Sequence, residues 1–377
     1  MTSKERVKKA MDLEEPDRVP LMCQLSIGHM LLQTGFSSAE FWFSVDLFAE
    51  GLLKLRDIYR FDGILISLHG HSPCWKEEAV KIQAEERGEV VYWKNGERTD
   101  CPYDDLPRHH LQYSHPQPVI QEFDPGTLPE EIGFIPVSQG LEFRIHPEHK
   151  YDVFDVINQR AGEQYSIHGE VTSPFDYFLN LFGLQRGMLY LVQEPSKAKE
   201  ILQRYADGVK RVALEQIEHG IDALKISSPY AGAGFISPGF YREFVLPYKG
   251  QITRAVRGCG VHVYTHTCGA IGDRLEMMIE AGISGIECLD PPPLGNVRLA
   301  EAKKCLKGKV FIKGNIDPVN ILLFGSREVV EKDAEHRIKV AKPGGGFILS
   351  TACSIAPHTK RENIQALARV VEKAGYY

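Results

Sequence analysis

Eight short runs of β-forming residues recur along the chain, and helical patterns separate most of them. They lie at residues 18–22, 62–67, 164–171, 222–228, 261–268, 284–290, 310–317 and 346–353. Most of these runs are almost continuously apolar in the middle, as strands are when helices bury both of their faces. Eight strands with helical crossovers predict an α/β fold of the TIM (β/α)8 barrel type. The alternative, an open doubly wound sheet, lacks its usual first-turn glycine fingerprint here.

Amphipathic patterns between these runs predict the crossover helices. In residues 195–220 the apolar side chains from Ile201 to Val212 fall on one stripe, and Gly220 is a typical stop signal. Further helices are predicted at residues 271–282, 299–308 and 326–341.

Residues 70–160 interrupt the alternation and predict an insertion between strands 2 and 3 of the barrel. Residues 75–98 indicate a hairpin, in which the sequence KNGE is a good turn signal. Residues 102–160 are rich in proline, histidine and acidic side chains. We interpret the whole region as a cap on the barrel, so that residues 1–377 form a single domain.

Composition and charge argue against several classes of protein. The chain of 377 residues has a net charge of −6, an isoelectric point near 6.2 and no dense lysine or arginine run, which disfavours nucleic-acid and anionic-membrane partners. The sequence shows neither the apolar core of a signal peptide nor the roughly 18 apolar residues of a spanning helix. Eight scattered cysteines without a CxxC pair indicate reduced thiols, so we expect a cytoplasmic protein.

Polar and metal-binding side chains stand at or just beyond the predicted strand ends. They are His69, Glu170, Ser227, His266, Cys268, Glu287, Asn315, Asp317 and Cys353. Active sites of this fold lie at the C-terminal ends of the barrel strands. The pattern therefore predicts a functional site at that mouth of the barrel.

His266 and Cys268 are two residues apart at the end of the fifth run, so in extended backbone both side chains point the same way. Cys353 closes the eighth run, and in a closed barrel both strand ends face the mouth. Zinc favours imidazole and thiolate ligands, and a catalytic site uses three protein ligands with one position left open. Glu287, which ends the sixth run, is the candidate for that fourth position until a substrate displaces it. The alternative is inert packing, because cysteine is among the most buried residue types.

Several segments are similar to those of one known family. They are RVKKAMDLEEPDRVPL near the start, GEVTSPFDY at 169–177, SPYAGAGFISPGFYREFVLPY at 228–248, GNIDP at 314–318 and IAPHTKRENIQAL at 355–367. On these segments the chain resembles the uroporphyrinogen decarboxylase superfamily over nearly its full length. The resemblance implies a TIM barrel and a site tyrosine at Tyr177.

The departures from that family are informative. Decarboxylases carry an arginine pair after strand 1, an aspartate at the end of strand 2 and a histidine near the C-terminus. Here no arginine occurs between Arg18 and Arg56, ISLHG at 66–70 contains no acid, and Cys353 replaces the histidine. The chain instead resembles the zinc-dependent, corrinoid-linked methyltransferase branch, whose His-x-Cys pair and C-terminal cysteine are zinc ligands.

The ligands of that branch match His266, Cys268 and Cys353 one for one. The glutamate ligand of the more distant cobalamin-independent methionine synthases matches Glu287. The resemblance implies a zinc centre at which a methyl group moves between a corrinoid and a small substrate. That substrate is an acceptor thiol, or a methyl donor such as a methoxylated aromatic in O-demethylation, and the sequence does not choose between them. A DxHxxG cobalamin signature is absent, so a separate corrinoid protein is the expected partner.

The sequence leaves two rival functions and the oligomeric state open. One is a decarboxylase-like lyase that acts on a porphyrinoid, which needs cationic carboxylate holders at the mouth. The other is a non-catalytic corrinoid-handling protein, in which Cys353 is dispensable.

Four other residues are candidates for substrate binding, and each has a structural alternative. Tyr177 orients substrate or is a buried core tyrosine. His69 contacts substrate or is a solvated loop histidine. Glu170, like Asp176, bonds to substrate or caps the next helix. Asn315 faces the site or, with Asp317, fixes the loop after strand 7.

Overall fold

The computed structural model describes residues 1–112, 117–137 and 140–377. The strands are β1 Gly63–Ile66, β2 Ala79–Glu85, β3 Gly88–Trp93, β4 Arg98–Pro102, β5 Arg108–His110, β6 Phe134–Pro136, β7 Glu142–Arg144, β8 Ser166–Thr172, β9 Ala223–Ser227, β10 His262–His266, β11 Gly285–Cys288, β12 Phe311–Ile316 and β13 Phe347–Thr351. The helices are α1 Ser3–Met11, α2 Ile27–Thr34, α3 Ser38–Phe43, α4 Val45–Tyr59, α5 Trp75–Glu78, α6 Asp152–Ala161, α7 Pro174–Phe182, α8 Leu184–Gln193, α9 Pro195–Glu218, α10 Pro238–Phe244, α11 Leu246–Gly258, α12 Leu275–Glu280, α13 Leu299–Leu306, α14 Arg327–Ala341 and α15 Arg361–Ala374.

Seven parallel strands form one curled sheet in the order β1-β8-β9-β10-β11-β12-β13. Their positions confirm seven of the eight predicted runs, and the order follows the chain because each crossover places a helix outside the sheet. In the register of the sheet, His266 stands opposite Ser227 on β9 and Glu287 on β11. The C-terminal ends of these strands therefore lie side by side.

The first predicted run, residues 18–22, is not a regular strand. Leu21 forms a parallel bridge to Leu349 on β13, and its carbonyl accepts a 2.7 Å hydrogen bond from the backbone N–H of Asp62. This extended segment thus lies between β13 and the start of β1, where it occupies the eighth position of the barrel. Pro20 has no N–H to donate, which is one reason why a continuous ladder does not form here.

The predicted crossover helices are present, with one difference in length. The helix predicted at 195–220 is α9, and Gly220 follows it with a φ of +83°. The helix predicted at 271–282 is confined to α12, Leu275–Glu280. Arg274 explains the late start, because its buried guanidinium donates to the carbonyls of Ala231 and Ile236 and holds residues before α12 in a turn.

Residues 70–160 contain two small antiparallel sheets, β2-β3-β4-β5 and β6-β7. The predicted hairpin is confirmed and is larger than expected, since KNGE forms the turn between β3 and β4 with Gly96 at a φ of +83°. Ile120 and Phe143 belong to the same buried apolar cluster as the barrel side chains. We infer from this shared core that the region is part of one domain. Among the described residues, none of the helices combines the length and the apolar character that a membrane span requires.

Asp62 joins the N-terminal segment to the barrel. Its buried carboxylate accepts hydrogen bonds from Arg6 (2.8 Å), from Arg18 (3.0 Å) and from the backbone N–H of Leu21 (2.9 Å). The Asp62→Ala variant should lower the free energy of unfolding by about 3 kcal/mol, because it leaves the buried Arg6 and the partly buried Arg18 with less compensation for their charges. Urea denaturation measures this change, and Asp57→Ala, at an exposed carboxylate, is the control. Equal stabilities of the two variants would contradict the role of Asp62.

Candidate metal centre

His266, Cys268 and Cys353 converge at the mouth of the barrel. Nε2 of His266 lies 3.3 Å from Sγ of Cys268 and 3.9 Å from Sγ of Cys353, and the two sulfur atoms are 3.9 Å apart. The histidine is buried and the two cysteines are partly buried. The structure thus brings together the three residues that the sequence analysis selected from strands 5 and 8.

Two loops position these donors. The chain turns at Gly269, which has a φ of +75° and whose N–H donates to Asp290 at 2.7 Å. A residue with a side chain would be strained at this φ, so the glycine suits the turn directly after Cys268. After β13, the N–H of Ala352 donates to the carbonyl of Ile316 at 2.8 Å and holds the backbone next to Cys353.

The spacing of the three donor atoms fits a tetrahedral zinc ion. With Zn–S bonds of about 2.3 Å and Zn–N bonds of about 2.0 Å, tetrahedral geometry separates two sulfur ligands by about 3.8 Å and a sulfur from a nitrogen by about 3.5 Å. The observed separations are 3.9 Å between the sulfurs and 3.3 and 3.9 Å from nitrogen to sulfur. One imidazole and two thiols are also donors that zinc prefers.

The structure does not place Glu287 with the three donors. Its carboxylate lies at the other ring nitrogen of His266, 2.9 Å from Nδ1. This is the outer position from which a carboxylate orients a ligating histidine and selects its tautomer. Glu287, the expected fourth ligand, therefore supports His266 instead of joining the three donors. Strand β11 lies next to β10, and their register sets Glu287 opposite His266.

Two buried lysines face the carboxylate of Glu287. Lys313 forms an ion pair with one oxygen, and Nζ of Lys225 lies 3.4 Å from the other. Burial raises the pKa of Glu287, but the charges of Lys225 and Lys313 and the hydrogen bond to His266 outweigh it and hold the pKa well below its usual range. Glu287 is therefore ionised and can keep a hydrogen bond from the Nδ1–H of His266.

Glu170 belongs to the same network. One of its oxygens lies 3.3 Å from Nζ of Lys225, and the other is buried with no hydrogen-bond partner among the residues that the structure describes. Burial lowers the pKa of Lys225, whereas Glu170 and Glu287 raise it by more, so the net shift is upward. Two carboxylates and two ammonium groups thus balance one another inside the barrel.

Lys225 and Lys313 are residues of the candidate site that the sequence analysis missed. A signal was present, since each lysine stands in the middle of an apolar run, in DALKISS and VFIKGNID. A charged side chain in a strand that is buried on both faces must be paired inside the protein. The identity of its partner depended on which neighbouring strands carry the glutamates.

Tyr177 is a buried residue of α7 that contacts the inserted region. Its hydroxyl donates to the carbonyl of Phe134 at 2.8 Å, and its ring stacks on Tyr205 with 5.2 Å between centroids. The hydroxyl is therefore engaged by the β6 strand. This arrangement supports the core-tyrosine alternative.

His69 and Asn315 are also engaged by the protein. His69 is buried rather than solvated, with Nδ1 2.9 Å from the carbonyl of Lys150, and burial lowers its pKa to about 4. Asn315 donates to the carbonyl of Leu289 at 2.8 Å and accepts from Arg337. Of the four candidates for substrate binding, only Glu170 keeps a free acceptor within the part of the chain that the structure describes.

The family described as uroporphyrinogen decarboxylase (URO-D) matches residues 141–374, more than half of the chain and the whole of the metal-centre region. The chain belongs to the uroporphyrinogen decarboxylase family. A methyltransferase structure from Methanosarcina mazei has a TM-score of 0.74 and 18% identity, over 99% of both chains. This likeness confirms the barrel fold.

Named relatives of this family member include methyltransferases and decarboxylases. The methylcobamide:CoM methyltransferase MtaA of Methanosarcina barkeri is 26% identical over 60% of this chain, and the match spans 63% of that protein. MtbA of Methanosarcina mazei, with the same activity in its name, is 24% identical over 100% of this chain and 99% of that protein. A uroporphyrinogen decarboxylase of Thioalkalivibrio sulfidiphilus is 32% identical over 52% of this chain and 53% of that protein.

Asp176 lies in a buried polar cluster near the strand ends. Its carboxylate accepts from the Ser173 hydroxyl, from the Ser228 hydroxyl (3.1 Å) and from the N–H of Tyr230 (3.4 Å). Burial raises the pKa of Asp176 to about 6, from an ordinary value of 3.8. The folded protein therefore holds this proton between about pH 4 and pH 6, where the unfolded chain releases it.

Wild-type protein should accordingly lose stability relative to Asp176→Asn as the pH rises from about 4 to about 6. The difference in unfolding free energy between the two should change by about 2–3 kcal/mol over this window. Urea denaturation across the pH range measures it, and Asp155→Asn, at an exposed carboxylate, is the control. A difference that does not vary with pH would show that Asp176 is ionised throughout.

Proposed function

We propose that this protein is a zinc-dependent methyltransferase that moves a methyl group between a corrinoid carried by a partner protein and a small substrate. The observation that carries the proposal is the convergence of His266 Nε2, Cys268 Sγ and Cys353 Sγ at tetrahedral spacing. Three protein donors leave one position open, as catalytic zinc sites do. The substrate would enter there.

Bound zinc would supply one of two kinds of activation: it would convert a substrate thiol into a nucleophilic thiolate at neutral pH, or polarise an ether oxygen as a Lewis acid. His266 and the two cysteines are the residues that would hold the ion. As thiolates, Cys268 and Cys353 would balance its charge of two, so the site has no need of Glu287 as a fourth ligand. Glu287 instead accepts from Nδ1 and keeps Nε2 directed at the two sulfurs.

Two lysines and two glutamates inside the barrel hold the carboxylate that orients His266. Lys313 and Lys225 hold the Glu287 carboxylate, and Lys225 also reaches Glu170. The free oxygen of Glu170 is the acceptor in the barrel that we propose for substrate binding.

An acceptor thiol is the substrate that the names of the relatives favour. MtaA and MtbA are both called methylcobamide:CoM methyltransferases. In that direction the substrate sulfur would take the methyl group from the corrinoid, and the electron pair of the broken C–Co bond would remain with the corrinoid. The reverse use, with a methyl ether as donor in O-demethylation, remains the second direction to assay. All eight cysteines are free, as thiolate ligands require, and a reducing compartment such as the cytoplasm suits them.

One of the named relatives is a decarboxylase, but the side chains of the site favour methyl transfer over decarboxylation. Carboxylate substrates need cationic holders, yet the two lysines inside the barrel are engaged by Glu170 and Glu287. A decarboxylase also has no use for two thiols and an imidazole at metal spacing. The geometry thus supports methyl transfer better than decarboxylation.

Purified protein should contain about one zinc per chain, and both Cys268→Ala and Cys353→Ala should lose it, because two remaining ligands bind zinc weakly. Elemental analysis measures the zinc content, with Cys259→Ala, at an exposed cysteine, as the control. Wild type and the three variants are also assayed for methyl transfer from methylcobalamin to a panel of thiols, and from methyl ethers to Co(I) cobalamin.

Two results would overturn the proposal. One is folded wild-type protein that takes up no zinc under reducing conditions. The other is zinc-loaded protein that is inert in both directions but decarboxylates a porphyrinogen.

Glu287→Gln should weaken zinc binding by about 10–100-fold, as loss of outer carboxylates on histidine ligands typically does. Competition with a chromogenic chelator measures the dissociation constant, and Glu280→Gln, in an exposed pair with Arg242, is the control. The visible spectrum of the Co²⁺-substituted protein should be unchanged in form, because Glu287 does not reach the metal. A changed coordination spectrum would instead make Glu287 a direct ligand.

A further inference from the structure

The backbone is strained where β11 ends, on the strand next to the one that leads to Cys268. Cys288 closes β11 with a φ of +81°, and Leu289 follows with a φ of +54°. Residues with a side chain seldom adopt this left-handed region, and they do so in succession only where the surrounding structure imposes it. Backbone strain of this kind is concentrated at functional sites, and the residue that follows it here is Asp290.

The carboxylate of Asp290 joins two groups that flank Cys268. Its Oδ2 accepts a hydrogen bond from the N–H of Gly269 at 2.7 Å and another from the thiol of Cys288 at 3.1 Å. Gly269 is the residue directly after Cys268, and the Cys288 side chain lies next to that of Cys268. One oxygen atom of Asp290 therefore links the backbone that follows this cysteine to a thiol beside its sulfur.

The loop after Asp290 closes over these contacts. A side chain at Gly295 would place its Cβ 2.5 Å from the carbonyl oxygen of Asp290 and 2.6 Å from that of Gly269, so glycine is required there. The N–H of Val297 donates to the carbonyl of Asp290 at 3.1 Å. Asp290 is only 4% exposed, so water is poorly placed to replace its carboxylate as an acceptor.

Each of the three donors of the metal centre has a support of its own. His266 is oriented by Glu287, and a backbone hydrogen bond of the residue before Cys353 holds the segment of that cysteine. Cys268 lies beyond the end of β10 and directly before a turn, and the Asp290 carboxylate anchors that turn. Asp290 thus stands to Cys268 as Glu287 stands to His266.

We propose that Asp290 is a positioning residue that holds Sγ of Cys268 at metal-binding distance from the other two donors. It acts through the N–H of Gly269 and the thiol of Cys288, and it is not one of the converging donors. This role rests on the proposed zinc centre, because a metal binds more tightly where its ligands are already held in place.

Asp290→Ala should weaken zinc binding by about 10–100-fold, as loss of the groups that hold a metal ligand typically does. Asp290→Asn should recover most of the affinity, because its amide oxygen can still accept from the N–H of Gly269. Competition with a chromogenic chelator measures the dissociation constants, and Asp155→Ala, at an exposed carboxylate, is the control. If Asp290→Ala does not unfold cooperatively, Asp290→Ser, whose side chain is too short to reach Gly269, replaces it.

The Co²⁺-substituted protein separates positioning from general stability. Asp290→Ala should change the sulfur-to-metal charge-transfer band, because the Cys268 sulfur would lose its fixed orientation, and Asp290→Asn should keep the wild-type band. A residue that only stabilised the fold would leave this band unchanged in every molecule that remains folded.

Hydrogen exchange in metal-free protein tests the same contact without zinc. The N–H of Gly269 should exchange at least about tenfold faster in Asp290→Ala than in wild type, and close to the wild-type rate in Asp290→Asn. Wild type that takes up no metal would overturn the zinc proposal, whereas this exchange result would still show whether Asp290 holds the turn. Equal zinc affinity, charge-transfer band and exchange rate in Asp290→Ala and wild type would overturn the positioning role, as would an Asp290→Asn variant no better than Asp290→Ala.

Discussion

The carboxylate of Glu287 is the constraint on which the proposed centre depends. It is buried between Lys225, Lys313 and His266, and each of these contacts comes from a different strand of the barrel. Burial alone would favour the neutral acid, yet the two ammonium groups keep it ionised. An ionised Glu287 accepts a hydrogen bond from Nδ1 of His266 and directs Nε2 towards the two sulfur atoms, where Nε2 would bind zinc. Loss of this balance would release the histidine from its orientation.

Barrel geometry explains how distant parts of the chain meet at this centre. The C-terminal ends of β10 and β13 open at the same mouth, so Cys268 and Cys353 come within 3.9 Å although 85 residues separate them. The same fold serves the decarboxylases of this family, and so membership of the family does not decide the reaction. The chemistry is decided by the side chains at the strand ends. An imidazole and two thiols are suited to zinc. The lysines Lys225 and Lys313 inside the barrel are paired with Glu170 and Glu287 and so are not free to hold substrate carboxylates.

The inserted region packs against the barrel and forms hydrogen bonds to it. The carbonyl of Phe134 accepts from the hydroxyl of Tyr177, and the carbonyl of Lys150 accepts from Nδ1 of His69, so two residues expected to face substrate instead fasten this region to the barrel. A hydroxyl or imidazole that follows a strand looks the same in sequence whether it faces a ligand or a neighbouring loop. Only the path of the inserted chain separates the two cases.

The sequence by itself determined the alternation of strands and helices, because periodic burial is a local property of each segment, and it selected His266, Cys268 and Cys353 by residue type at strand ends. The regular strand expected at residues 18–22 was wrong. Pro20 cannot donate to a ladder, and the bridge to Leu349 and the hydrogen bond from Asp62 form only when the sheet closes. Tertiary structure alone decided the place of Glu287. The lateral register of β10, β11 and β12 sets it against Nδ1 of His266 and Lys313. Such register arises from contacts between strands, which no single segment encodes.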